Sequence, residues 1–347
     1  MELGVFLPIA NNGWIISKTA PQYKPTFELN KETTLKAEAL GFDFVFSMVK
    51  WRGYGGETEH WDWALESLTL TAGLAAVTSR IQLWASVQPL TVHPAVVAKM
   101  GATIDNISQG RFGLNLVAGW AKPEYDQMGL WPGDDFFEYR YEYAEEWLDI
   151  VLKLWQYGRL TYEGRWYKLK DCLSYPLPVQ RPHPPIVNAG MSERGLRFAV
   201  EHSDYSFLAA EIDQVGALVR RGKELARQLG KTYKAYAVFT VVMADTDQRA
   251  EEIAQSYIDG ADLQALANVF GVADLDKGGS TAERMKSGVF IAPRITGSPD
   301  TVADQFEYLE SEAGLDGILV TFPDFLQGID DFGAAVMPRL RAKGLIR

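Results

Sequence analysis

The chain has little of what most protein-borne chemistry needs. Its 347 residues include one cysteine, Cys172, which excludes an internal disulfide framework and any metal site built on several thiolates. Four histidines, His60, His93, His183 and His202, are scattered without ligand spacing, which argues against a histidine-based metal centre. There is no Cys–His pairing and no G-x-S-x-G elbow, so a hydrolase using its own nucleophile has little support. The first strand leads into Asn11-Asn12-Gly13 rather than a G-x-G-x-x-G turn, which argues against a doubly wound dinucleotide fold. Positive charge is the minority sign: 34 Lys and Arg stand against 45 Asp and Glu. The net charge of −11 opposes non-specific binding to nucleic acid or a membrane surface. No apolar stretch is long enough to span a bilayer, and no basic segment followed by an apolar core opens the chain. The expectation is a cytoplasmic enzyme whose reactivity comes from a bound cofactor.

What is present is an alternation. Hydrophobic residues make up 47% and charged residues 23%, ordinary soluble-globular usage. Apolar strand-like runs begin near residues 3, 42, 81, 111, 185, 205, 236 and 317, separated by segments with helical spacing. Strict alternation implies a parallel sheet covered by helices, and eight repeats suggest closure into a (β/α)8 TIM barrel. A hairpin is expected over residues 160–169, turning at Glu163-Gly164. Residues 262–295 carry mixed signals and two adjacent glycines, and read as an insertion before the last strand. No Pro- or Ser-rich linker and no charge block divides the chain, so residues 1–347 read as a single domain.

The stretch RFGLNLVAGWAKPE, residues 111–124, organises the rest. Phe112, Leu114, Leu116 and Ala118 alternate with Gly113, Asn115 and Val117 before Gly119-Trp120 and Pro123-Glu124 close the run. Asn115 is a polar side chain inside a buried strand, so its amide needs a partner: a neighbouring backbone group or the edge of a flat ligand. In a barrel of this kind chemistry sits at the C-terminal ends of the strands. The polar residues at those ends are Lys50, Ser86, Gln88, Asn115, Trp120, Glu124, Asn188 and Ser192. Each has an ordinary structural alternative. Ser192 opens a helix after Ala189-Gly190 and could be a plain N-cap, Lys50 a surface cation, Glu124 a rim carboxylate and Trp120 a core or lid aromatic.

The segments GVFLPIANNGWIIS, PQYKPTFELN, SMVKWRGYGG, TAGLAAVTSRIQLWAS, ATIDNISQGRFGLNLVAGWAKPEYDQMGLWPGDD and VTFPDFLQGIDDFG carry a resemblance that covers nearly the whole chain. The sequence resembles the bacterial-luciferase-like flavin-dependent monooxygenases, and within them the branch that oxidises pyrimidines. The resemblance implies a (β/α)8 barrel binding reduced FMN, with dioxygen as co-substrate. NADH or NADPH would be spent by a separate flavin reductase that supplies the reduced FMN. By position, Val49, Lys50, Asn115, Glu124, Arg140, Tyr141 and Ser192 match the family's FMN contacts. Phe46, Ser86 and Asn115 match its dioxygen pocket, and Trp120 joins them as a wall for a planar substrate. The reaction implied is oxidation and ring opening of uracil, or a related cyclic amide, to a ureidoacrylate-type product through an oxygen adduct at flavin N5. A homo-oligomer is also expected. The chain departs from the better-known pyrimidine enzymes, which have a smaller aliphatic residue and a threonine where this chain has Phe46 and Ser86. The alternatives are a family monooxygenase acting on another heteroaromatic, amide or organosulfur compound, and a flavin- or deazaflavin-binding protein without oxygenase turnover.

Overall fold

A computed structural model describes residues 1–276 and 288–347. Its strands, in chain order, are β1 (Glu2–Phe6), β2 (Phe44–Ser47), β3 (Gln82–Val87), β4 (Phe112–Leu116), β5 (Arg159–Glu163), β6 (Lys168–Leu173), β7 (Ile186–Asn188), β8 (Tyr205–Leu208), β9 (Lys234–Met243), β10 (Arg294–Gly297) and β11 (Gly317–Thr321). Parallel pairing runs β1-β2-β3-β4-β7-β8-β9-β11 and returns to β1, so the sheet closes into an eight-stranded barrel. Closure leaves no open edge among these strands, which is why eight βα repeats settle here rather than in an open sheet.

The expected hairpin is β5 against β6, antiparallel, after the long helix Phe136–Tyr157. The region read as an insertion holds the helix Leu263–Ala273 and leads into β10, which pairs parallel with the C-terminal part of β9, Thr240–Met243, on the edge opposite β11, and adds a ninth strand to the sheet. The two adjacent glycines of that region lie outside the described residues. The helix Ser67–Val77 between β2 and β3 starts where it does because the Glu66 side chain accepts from the Leu68 and Thr69 N–H groups and caps it there. Among the described residues, no helix is long and apolar enough to cross a membrane.

Strand alternation divides the core in two. Leu83, Ala85, Val87, Phe112, Leu114 and Leu116 point outward to the helices, in a cluster with Trp147, Val151, Leu154 and Trp155. Phe6, Phe44, Phe46, Trp84, Val187, Phe207, Tyr236, Val238 and Leu319 point inward. The lower interior is a plug of rings: Phe44 stacks on Trp84 at 4.2 Å, and Tyr205 on Tyr236 at 5.3 Å. Gly4, Gly113 and Gly317 face these rings. A Cβ at those positions would run into Phe44, Trp84 and Tyr236 respectively, so glycine in the strand is what lets a large ring fill the barrel. Asn115 follows Gly113 by two residues and therefore also faces inward, one layer nearer the C-terminal mouth.

Candidate active site

The mouth holds two adjoining cavities. The larger, about 200 Å³, is walled by Phe6, Trp14, Phe46, Met48, Phe207 and Val238, with Val49, Lys50, Ser86, Gln88, Asn115, Trp120 and Glu124 in its lining. The smaller, about 120 Å³, is lined by Gly119, Trp120, Arg140, Tyr141, Gly190 and Ser192. Val117, Trp120 and Ala189 border both. Every site residue named from the sequence therefore lies at one of two neighbouring cavities, although their positions in the chain run from 46 to 192.

Asn115 is held from one side only. Pairing of β3 with β4 puts Ser86 beside it, and Asn115 Nδ2 donates to Ser86 Oγ at 2.8 Å. The Ser86 hydroxyl spends its own proton on the Ser47 carbonyl at 2.7 Å, so towards Asn115 it can only accept. This fixes which way the amide points. Asn115 Oδ1, buried, has no hydrogen-bond partner among the described residues.

Lys50 is not a surface cation. It follows β2 into the mouth and pairs with Glu124 at 2.5 Å, both side chains only 4% exposed. Glu124 sits on the short helix Lys122–Asp126 and also accepts from Trp51 N–H at 3.2 Å and Gln88 Nε2 at 3.4 Å. Lys50 donates to the Tyr54 hydroxyl at 3.2 Å and lies 4.2, 5.5 and 5.9 Å from the ring centres of Tyr54, Trp61 and Trp120. Burial is the largest single influence and favours the neutral amine, but the Glu124 charge, Tyr54 and the hydrogen bonds to both together outweigh it and raise the Lys50 pKa, so the ammonium persists. Burial raises the Tyr54 pKa, against the pull of Lys50, and keeps a phenol there. Burial, assisted by Lys50, pulls the nearby His60 down to about 3, and neither of its ring nitrogens has a partner among the described residues.

The smaller cavity brings a helix start, a buried guanidinium and a carboxylate together. Ser192 is the N-cap of the helix Glu193–His202, its Oγ accepting from Gly195 N–H at 3.1 Å, so it fills the plain structural role and borders the cavity as well. Arg140 is buried beside it, donating to the Gly119 carbonyl at 3.0 Å and to Asp276 at 2.9 Å, with Nε unpaired among the described residues. Sequence reasoning missed Asp276, because it falls in the segment read as an insertion. Tyr54, four residues after Lys50, was missed as well: both lie in a loop, and nothing in the sequence marks that loop as folding back on the ammonium.

The arrangement can hold a flat ring with an N–H edge in the larger cavity and an anionic tail in the smaller one. The profile of the luciferase-like monooxygenases matches residues 1–317. The pyrimidine monooxygenase of Bradyrhizobium sp. is 46% identical over 99% of this chain and 98% of its own length. That of Rhizobium rhizogenes is 43% identical over 100% and 98%. Among solved structures, a riboflavin lyase with modified FMN and riboflavin superposes with a TM-score of 0.86 at 22% identity, covering 100% of this chain and 92% of its own. An F420-dependent secondary alcohol dehydrogenase superposes with a TM-score of 0.72 at 19% identity, over 98% and 99%. These two likenesses concern the fold. The family match over most of the chain and the full-length identity to curated relatives establish that the chain belongs to the luciferase-like monooxygenase family.

Proposed function

We propose that this protein is a flavin-dependent monooxygenase that uses reduced FMN and dioxygen to oxidise and ring-open uracil or a close cyclic amide to a ureidoacrylate-type product. The observation that carries the flavin part is the joining of a ring-sized cavity with a locked, unpaired acceptor, Asn115 Oδ1, to a smaller cavity at a helix start. The substrate rests on the pyrimidine monooxygenases to which the chain is similar over its whole length.

Reduced FMN, when bound, supplies the two electrons that activate dioxygen. Asn115 Oδ1 would accept a ring N–H of the flavin, and the Ser86–Ser47 chain keeps that acceptor in place. The Lys50 ammonium, held charged by Glu124, favours negative charge in the adjacent cavity. Arg140, Tyr141 and the Ser192 helix start would hold the phosphate, in a cavity where the Arg140 guanidinium already donates to Asp276. Phe46, packed on Phe6 at 5.2 Å and Phe207 at 4.9 Å, makes the floor dry and limits what fits above it. Ser86, Phe46 and Asn115 line the space for dioxygen. A separate NAD(P)H-dependent flavin reductase provides the reduced FMN.

The reading is tested in an oxygen electrode with a flavin reductase, NADH, FMN and uracil, followed by mass spectrometry. Oxygen uptake that depends on uracil and yields ureidoacrylate is expected. Uptake with another amide or a sulfur compound, but no uracil product, leaves the monooxygenase and removes the pyrimidine. The barrel is shared with an F420-dependent dehydrogenase, so turnover of an alcohol with a deazaflavin and no oxygen uptake would replace the oxygenase reading.

A further inference from the structure

Gln88 has no part in the cofactor site proposed above. It follows β3 directly, two residues after Ser86, so the alternation of the strand places both at the inner side of the mouth. It is buried, lines the larger cavity, and is anchored by Nε2 on Glu124 Oε2 at 3.4 Å. Its Oε1 has no partner among the described residues. The amide is held in this sense: turned round, its carbonyl oxygen would face the Glu124 carboxylate, which has only acceptors to offer and is fixed by Lys50 and Trp51 N–H. The cavity lining therefore includes two residues with a buried acceptor, Asn115 Oδ1 and Gln88 Oε1, each amide oriented by an independent chain of hydrogen bonds and each oxygen without a donor among the described residues. One flavin ring edge satisfies the first. A buried acceptor that stays unmet penalises whatever ligand shuts water away from it, so the second selects among substrates.

We infer that Gln88 is a substrate-recognition residue that accepts a ring N–H of the substrate. The substrate class is then a flat cyclic amide or ureide with an unsubstituted ring N–H, and sulfides, alkanes and N-alkylated rings are disfavoured. This inference rests on the flavin site proposed above and specifies what binds next to it. The apolar walls supply area without direction, and Gln88 supplies direction.

The test is equilibrium binding to the FMN-loaded enzyme without oxygen, read by quenching of tryptophan fluorescence, since Trp14, Trp61 and Trp120 line the cavity. Uracil, 1-methyluracil and 3-methyluracil are titrated into the native protein and into Gln88→Met, which keeps the side-chain length and removes the acceptor. The native protein should bind one of the two methyl derivatives at least about 10-fold more weakly than uracil. Gln88→Met should lose about 10-fold for uracil and bind uracil and that derivative alike, with the reduced-FMN affinity of both proteins reporting an intact site. A preference for uracil that persists in Gln88→Met is a steric effect of the methyl group and overturns the role of Gln88. Equal affinity of the native protein for all three ligands overturns it without any variant. A native protein that binds FMN but none of the three pyrimidines overturns the pyrimidine substrate itself, and the Gln88 assignment with it.

Discussion

The two ends of the barrel hold different kinds of polar group. At the N-terminal end of the strands, four carboxylates are each paired with a donor from another strand. Asp43, just before β2, accepts from Leu3 N–H of β1 at 2.7 Å. Asp204, before β8, accepts from Ile186 N–H of β7 at 2.8 Å, and Asp316, before β11, from Ala235 N–H of β9 at 2.8 Å. Tyr236 donates its hydroxyl to Glu2 at 2.6 Å, above a plug of stacked rings. At the C-terminal end, Asn115 Oδ1, Gln88 Oε1 and Arg140 Nε are buried and unpaired among the described residues, on residues that line the two mouth cavities. Buried polar groups are normally satisfied, so unpaired amide and guanidinium atoms gathered at the strand ends where barrel chemistry sits mark the mouth as a ligand site.

That contrast can be broken at either end. The largest effect is expected from Lys50→Met, which leaves Glu124 buried without its counter-charge and should cost about 3–5 kcal/mol of stability in urea unfolding. Adding Glu124→Gln should recover much of it, and a single-variant loss near zero would mean that water reaches the pair. Gly317→Ala comes next. Its Cβ would collide with the Tyr236 ring, so overpacking of the plug should cost about 1–3 kcal/mol while reduced-FMN affinity stays unchanged. A neutral result would show the plug to be loosely filled.

Asn115→Leu sharpens the comparison from the other side. It should weaken reduced-FMN binding by about 1–3 kcal/mol in anaerobic titration. Stability without flavin should change less than for Gly317→Ala, because half of that amide is already unpaired. Unchanged affinity would remove Asn115 from the flavin site. The smallest effect concerns His60. Its folded pKa, pulled to about 3 from 6.5, means that the unfolded chain binds a proton in that window while the fold does not. The stability contribution is therefore complete above 6.5 and declines as the pH falls towards 3, by at most about 1.4 kcal/mol per pH unit. His60→Phe, which can retain the stacking on Trp61, should lose about 1 kcal/mol less than the native protein between about pH 7 and pH 5.5. Parallel pH profiles would show that the native ring is protonated in place.

The strand starts near residues 3, 42, 81, 111, 185, 205, 236 and 317 were legible because strand alternation and Gly or Pro punctuation are local signals, and each corresponds to a strand of the ring. The polar residues at the strand ends were legible for the same reason, since a break in an apolar run is visible one strand at a time. The pairing of Lys50 with Glu124, 74 positions apart, was not, nor was the meeting of Arg140 with Asp276 across 136 positions. In the sequence Lys50 passes for a surface cation and Glu124 for a rim carboxylate, because nothing in either neighbourhood records the other.

By itself, then, the sequence determined the repeat, the glycines that make room for Phe44, Trp84 and Tyr236, and the polar residues carried to the mouth, all through spacing along one strand. Only the tertiary structure decided which of those polar groups are satisfied. Closing the ring sets the register of β3 on β4, and that register gives Asn115 the Ser86 hydroxyl on one side and leaves Oδ1 without a partner on the other. Satisfaction of a buried acceptor depends on atoms from several strands arriving within hydrogen-bond reach, and that distance exists only after the barrel has closed.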